Sequence, residues 1–516
     1  MLVAAVVSRR EVLGALSLAI DLGLGQPMEH MVRSAVIGTR LARRLGLDDR
    51  ERAAVFYVSL LIWIGCFADS HEYSRWFGDD IAVRHDSYQL DWSGLPYLRF
   101  LLGNVGRGMP LAKRARIGAA LFVDTRGNLA RLARSHCASA EMLAERFDLD
   151  ERVCSALPFT FERWDGGGLP NGVSGAAIPA VMRVVQLADV VEVHHRTGGI
   201  DAAIAVATGR GGGQLDPDVV AAFVSSAPEL LAATDDAWST AVATLAEPDR
   251  VLGDAELDLL LRALGDFVDL KCPFTLGHSR GVADLVHAAA GCIGLGGADA
   301  DLLRRAGYVH DLGRIGVSNL IWEKTGELTM PEWERVRMHP YLTGRILSRV
   351  GGLDEVRVIC ERHHEQLDGS GYPNGLTGSA LSVHDRLLAA AARYHGSLEP
   401  RPYRAALDPE QAARRLRVDA AAGRLEPAAV EAVLEAAGHR RSRRPVHPSG
   451  LTPREAEVLI NVAYGRSNRE IANELRVSEK TVRNHVEHIY AKIGVTNRVG
   501  ASLFAAHHGM VAPLSN

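Results

Sequence analysis

Cysteine and aromatic residues are scarce in this chain. Six cysteines are spread over 516 residues (Cys66, Cys137, Cys154, Cys272, Cys292, Cys360), and no two form a CxxC pair. That excludes a disulfide framework and a thiolate zinc site, and fits buried thiols in a reducing compartment. Aromatics make up 6%. The longest apolar run, Ala53 to Phe67, has 15 residues, short of the ~20 that a membrane span needs. It reads as a buried core helix. The N-terminus lacks the charged-then-apolar order of a secretory leader. A cytoplasmic location with no membrane partner is therefore expected. Strand-like alternation is also missing, and helical periodicity dominates, so the fold class is all-α. With 47% hydrophobic and 23% charged residues the composition is that of a globular protein, and the length suits two to four domains at ~150 residues each.

A net charge of −4 hides an uneven distribution. From Leu451 onward there are eight Lys/Arg against six Asp/Glu, preceded by Arg440, Arg441, Arg443 and Arg444. A basic tail on an acidic body suits attraction to phosphates by counterion release. Thr452-Pro453-Arg454-Glu455 has the order of an N-cap, a first-position proline and a capping-box acid. Ser467 to Leu475 is a short amphipathic helix with Ile471, Ala472 and Leu475 on one face. After a turn at Arg476-Val477, Ser478 caps a second helix that buries Val482, Val486 and Ile489. Its other side carries Lys480, Thr481, Arg483, Asn484 and His485, side chains able to reach phosphates and base edges in a major groove. Lys492 is counted with these DNA-binding candidates. The order NREIA, SEKTVRNHV, KIGVTNR resembles the LuxR-type helix-turn-helix family. That resemblance implies double-stranded DNA as a partner and a homodimer built on the last helix, Arg498 to His508, through Val499, Leu503 and Ala506.

Upstream, the chain repeats itself. His30 to Trp63 and His278 to Asp311 are both 33 positions apart, and His136 to Asp165 and His339 to Asp368 are both 29 apart. Asp165-Gly166-Gly167-Gly168-Leu169-Pro170-Asn171-Gly172 aligns with Asp368-Gly369-Ser370-Gly371-Tyr372-Pro373-Asn374-Gly375. The first copy carries about 45 extra residues between Trp63 and His136, an insertion near residues 70–115. The expected organisation is a first copy at 1–245, a second at 254–437, a basic linker at 438–450 and the DNA-binding module at 451–516. The boundary between the copies is placed near Ala246–Gly253, where Glu247-Pro248-Asp249 interrupts two helical stretches.

The chemistry lies in the second copy. His278, the adjacent pair His310-Asp311, His339, and His363-His364 are imidazoles and a carboxylate suited to a first-row transition metal. A pair of such ions can activate water against a phosphodiester. HDLGRIG, MHPYLTG and RHHEQLDGSGYPNGLTG resemble the HD-GYP branch of the HD metal-dependent phosphohydrolases, which hydrolyse cyclic di-GMP at iron or manganese ions. The resemblance implies metal ligation by His278, His310, Asp311, His339, His363 and His364, catalytic roles for Asp311 and Arg314, and a substrate loop at Gly371, Tyr372 and Pro373. It makes the architecture two tandem HD-type helical domains followed by a four-helix LuxR-type module. Two positions depart from the family. Arg314 stands in place of a lysine, and Ala392 in place of a metal-binding aspartate, with His395 one helical turn on as a substitute ligand. In the first copy Ile62-Trp63 replace the His-Asp pair and Thr160-Phe161 the paired histidines, while His30, His136 and Asp189 remain.

These features describe a transcriptional regulator whose HD-GYP-like region senses a ligand, such as a cyclic dinucleotide, or mediates assembly. Two alternatives stand beside that reading: an active metal-dependent phosphodiesterase coupled to DNA binding, and HD copies that serve as protein-interaction scaffolds.

Overall fold

Capping chemistry written into the sequence sets many of the helix boundaries. In a computed structural model, which describes residues 7–91, 94–107, 109–232, 236–246, 248–439, 448–508 and 510–511, Asp48, Ser382, Asp408, Thr452 and Ser467 each close a capping box with the acid or amide three residues on. The described residues form helices and turns with only isolated β-bridges and no strand. The arginines at 440–444 and Glu247 lie outside them. The remainder of the boundary segment is tied back to the N-terminus: Ser8 and Val251 form a bridge, and Arg9 N donates to Arg250 O at 2.9 Å.

The chain packs as two compact units. One comprises the residues up to Asp284 with Asp301–His363 and Glu399–Ala406; the other comprises Leu285–Ala300, His364–Leu398 and the residues from Leu407 onward. The first unit shows the internal repeat as structure. Helices His30–Arg44 and His278–Cys292 both begin at a histidine, and a buried carboxylate holds each start. Asp21 Oδ1 accepts from Met31 N at 3.1 Å, and Asp269 Oδ2 accepts from Ser279 N at 2.8 Å. Burial pushes both carboxyls up to about 8. Gly65 and Gly313 form another equivalent pair. A Cβ at Gly65 would stand 2.3 Å from His136 O, and one at Gly313 would stand 2.0 Å from His339 O. Only glycine lets each turn press against the backbone of the next histidine.

The run Ala53–Phe67 folds as predicted into core, as helix Asp49–Leu61 followed by the 3₁₀ turn Ile64–Phe67, with side chains such as Phe56 and Phe67 fully buried. No single helix among the described residues is long and apolar enough to cross a membrane. The insertion forms helices Ser70–Phe77, Asp80–Ser87, Gly94–Asn104 and Leu111–Val123. It is joined to the second copy by a buried ionic cluster. Asp80 Oδ2 faces Lys271 Nζ at 3.1 Å and Arg84 Nη1 at 3.7 Å, while its Oδ1 accepts from Ser318 Oγ and Asn319 N, both at 2.8 Å. One carboxylate thus faces two buried cations, and removing it would leave both without that counter-charge.

In the second unit the C-terminal module is four helices, Pro453–Ala463, Asn468–Leu475, Glu479–Ile493 and Arg498–His507, around Val458, Leu459, Val462, Ile471, Val482 and Ile489. Arg476 takes the left-handed conformation (φ 52°) that makes the turn between the second and third helices.

Candidate metal centre and DNA-reading helix

Five segments of the first unit bring the ligand candidates together. His278 opens its helix; His310 and Asp311 follow helix Gly297–Val309; His339 opens His339–Leu347; His363 follows Asp354–Glu361; and Glu399 lies just before Arg401. Three of the imidazoles are fixed from behind by the carbonyl three residues earlier. His310 Nδ1 donates to Gly307 O at 2.8 Å, His339 Nδ1 to Val336 O at 2.6 Å, and His363 Nδ1 to Cys360 O at 2.6 Å. With Nδ1 committed as donor, each Nε2 presents a lone pair.

Those lone pairs converge on Asp311. His310 and His278 Nε2 lie 3.5 and 3.6 Å from its Oδ2, and His339 and His363 Nε2 lie 3.3 and 3.4 Å from its Oδ1. The Nε2 atoms of His339 and His363 face each other at 3.3 Å. His310 Nε2 and Asp311 Oδ1 are buried without a hydrogen-bond partner. Acceptors aimed at acceptors away from water are costly unless a cation lies between them. The residues therefore fit a divalent transition metal: four imidazole nitrogens and a carboxylate, held by outer-shell hydrogen bonds.

The electrostatics agree. Burial pushes the His310 imidazole down to about 3 and also lowers His278 and His339. Burial alone would raise the Asp311 carboxyl, but its neighbours, with the Arg314 guanidinium among them, outweigh it and hold the group well below its usual range. Neutral imidazoles around an ionised carboxylate are the protonation states that bind metal. Arg314 reaches Asp311 Oδ2 at 3.0 Å, and its guanidinium lies 4.1 Å over the Trp322 ring. Glu399 was not anticipated from the sequence. Its Oε1 accepts from His278 Nδ1 at 2.9 Å, while Arg401 holds its other oxygen at 2.6 Å and donates to Phe274 O at 2.6 Å. The available signal was an acid two residues before the Arg401-Pro402-Tyr403-Arg404 anchor.

In the first copy the same framework encloses side chains only. Trp63, at the position of Asp311, donates its indole N–H to both oxygens of Asp189 at 3.2 Å. His30 lies between Asp189 at 3.0 Å and Glu192 at 2.5 Å. Burial would lower His30, but Glu192 and Asp189 outweigh it and raise it to about 10, so the ring is a buried cation. His136 donates from Nε2 to Ile62 O at 2.8 Å.

Residues 262–428 match the HD domain family. The chain is 30% identical over 408 residues to the 3′3′-cGAMP-specific phosphodiesterase 3 of Vibrio cholerae, an alignment covering 78% of this chain and 89% of that protein. The chain belongs to the HD-GYP family. A cyclic di-GMP phosphodiesterase of Thermotoga maritima is 31% identical over 179 residues, 34% of this chain and 47% of that one. A crystal structure of a cyclic GMP-AMP-specific phosphodiesterase of V. cholerae superposes with a TM-score of 0.55 at 25% identity, over 84% of this chain and 98% of the other. Residues 449–505 match the luxR family of bacterial regulatory proteins.

The remaining HD-GYP residues lie in the second unit. The loop that names the branch is pinned by Glu365, whose two carboxylate oxygens accept from Asn374 N at 2.7 Å and Leu376 N at 2.9 Å. Glu162 does the same for Asn171 and Val173 in the first copy. His364 stacks on Tyr372 with ring centroids 4.7 Å apart. Gly371 admits no side chain, because a Cβ would stand 2.4 Å from Gln366 N; Pro373 follows in the same loop. Ala392, buried, and His395 both lie on helix Val383–Ser397.

On the candidate reading helix Glu479–Ile493, Lys480, Arg483 and Asn484 are exposed and Thr481 and His485 half-buried, while Val482, Val486 and Ile489 are buried. Lys492 also has an internal partner. Its Nζ meets Glu455 Oε2 at 2.7 Å, the same oxygen that accepts from Thr452 N. It ties the third helix to the cap of the first.

Proposed function

We propose that the chain is a metal-dependent phosphodiesterase acting on a 3′,3′-cyclic dinucleotide, and that the state of this site is passed to the LuxR-type module to control transcription. The convergence of His278, His310, His339 and His363 on Asp311, with their far nitrogens already committed as donors, carries this reading. A site meant only to pack would be filled as in the first copy. Iron or manganese held there would supply the positive charge and water activation that phosphodiester hydrolysis needs. Arg314, locked between Asp311 and Trp322, is placed to neutralise a phosphate oxygen. Water would add across one P–O3′ bond and leave a linear dinucleotide with a terminal phosphate. Similarity to enzymes named for 3′3′-cGAMP and cyclic di-GMP supports the substrate class.

Ala392 favours a second reading, in which the nucleotide is bound but not turned over. One assay separates the two. Manganese-loaded protein is incubated with 3′3′-cGAMP and with cyclic di-GMP, beside the Asp311→Asn variant. The expected result is a linear product whose rate falls in the variant by more than the ~100-fold that outer-shell losses cost. Tight binding without product overturns the enzyme reading in favour of a sensor. Absence of both binding and product leaves the HD copies as scaffolds.

A further inference from the structure

The insertion that distinguishes the first copy contributes none of the candidate metal ligands, yet it walls an open cleft of the first unit. Helices Ser70–Phe77 and Leu111–Val123, with Asn128 beyond them, face the segment Leu320–Thr325 across a space of about 740 Å³. That volume lies within the ~300–1,000 Å³ common for small-molecule sites. Its lining is cationic: Arg75, Lys113, Arg116 and Lys324. Lys113 and Arg116 are three residues apart on one helix face. The side chains of Arg75, Lys113 and Arg116 enter no ion pair among the described residues. Glu323, the sole carboxylate of the lining, is taken by His71 at 2.9 Å, and Lys324 is taken by Glu332 at 2.6 Å. Trp76 adds an aromatic surface, and Ser74 and Asn128 add polar groups.

We infer that this cleft is a second ligand site, separate from the metal centre, and that it takes a nucleotide. Three cations that line one concavity, none in an ion pair among the described residues, raise the local concentration of anions. Guanidinium groups suit phosphate oxygens, and an indole beside them suits a base. The cleft also touches the machinery of the other site. Leu320 and Glu323 belong to the same short segment as Trp322, whose ring lies under Arg314 at 4.1 Å and whose indole N–H donates to Arg314 O at 3.3 Å. Arg314 in turn holds Asp311. An occupant pressing on this segment shifts the seat of Arg314, so the insertion gives the enzyme an effector input.

The test uses the full chain carrying Asp311→Asn, in chelator, so that the metal centre contributes no affinity. GMP is titrated calorimetrically, with inorganic phosphate as a competitor. Saturable one-to-one binding is expected. It should weaken at least tenfold in the double variant Arg75→Glu/Arg116→Glu, whose exposed positions leave the melting temperature unchanged, and phosphate should compete at least tenfold less well than GMP. Absence of saturable binding, equal binding by the charge-reversed protein, or phosphate competing as well as GMP would each overturn the proposal. So would a non-operator DNA duplex that loses affinity in the double variant while GMP does not bind, since the cations would then serve nucleic acid. None of these readouts depends on turnover, so the proposal can fail while the phosphodiesterase reading survives, and the reverse.

Discussion

Trp63 donates its indole N–H to both carboxylate oxygens of Asp189, each at 3.2 Å. In the second copy the equivalent framework aims four imidazoles at Asp311. At this one position, an indole in place of a carboxylate goes with a hydrogen-bonded core in place of the converging imidazoles.

Trp63 should accordingly be a stability residue. Trp63→Ala is expected to cost about 3–5 kcal/mol through the cavity it leaves. Trp63→Phe should cost about 1–3 kcal/mol, because Asp189 loses a buried donor. Urea midpoints at constant slope read both. A Phe variant as stable as the parent would show that the indole bond contributes nothing.

The His30 cluster sets a pH window. His30 is raised to about 10 in the folded chain from an ordinary value of 6.5, so its stabilisation is complete below 6.5 and is lost as pH rises through about 10. For Glu192, burial would raise the carboxyl, but His30 and Arg33 depress it from 4.5 to about 2. Its contribution is present above 4.5 and is lost as pH falls through about 2. Against His30→Gln, the parent should therefore show its largest stability advantage between about pH 5 and 6.5 and a shrinking one in alkali. A difference independent of pH would mean that the ring is neutral.

Arg483 and Lys492 should separate cleanly. Arg483→Ala is expected to weaken operator binding by roughly 1–3 kcal/mol if it reads a base edge, with no change in melting temperature. Lys492→Ala should chiefly lower the stability of the C-terminal module, because it leaves Glu455 without its cation. Fluorescence anisotropy with operator DNA and thermal melts would distinguish them. Equal operator affinity in the Arg483 variant would move the reading face elsewhere.

Val499 and Leu503 are 69% and 67% exposed on helix Arg498–His507. Apolar side chains at helical spacing with no cover in the monomer suit self-association on two half-sites. Val499→Asp/Leu503→Asp should convert a two-half-site footprint to one and halve the mass of the complex in sedimentation. An unchanged footprint would exclude this helix as the contact.

Much of this was legible in one dimension because local rules fix it. Thr452, Ser467 and Ser478 cap their helices as their residue types dictate, and Val482, Val486 and Ile489 face inward at the expected spacing. The repeated intervals have a local counterpart too, since the helices at His30 and His278 both begin at the histidine. What spacing cannot carry is the partner of a side chain. Glu399 lies 121 positions from His278 and Asp80 lies 191 from Lys271. Neither pair has a periodic signature, because each is made where helices distant in sequence meet. Lys492 looked like a groove contact by sequence and charge, and only packing brought it to Glu455. The sequence by itself thus determined the helical class and many helix boundaries, which follow from residue type and interval. Tertiary structure alone decided which nitrogen of each histidine faces Asp311, how Trp63 fills the first copy, and which cations of the insertion share a cleft, because these depend on direction in space and on the loss of water around buried charge.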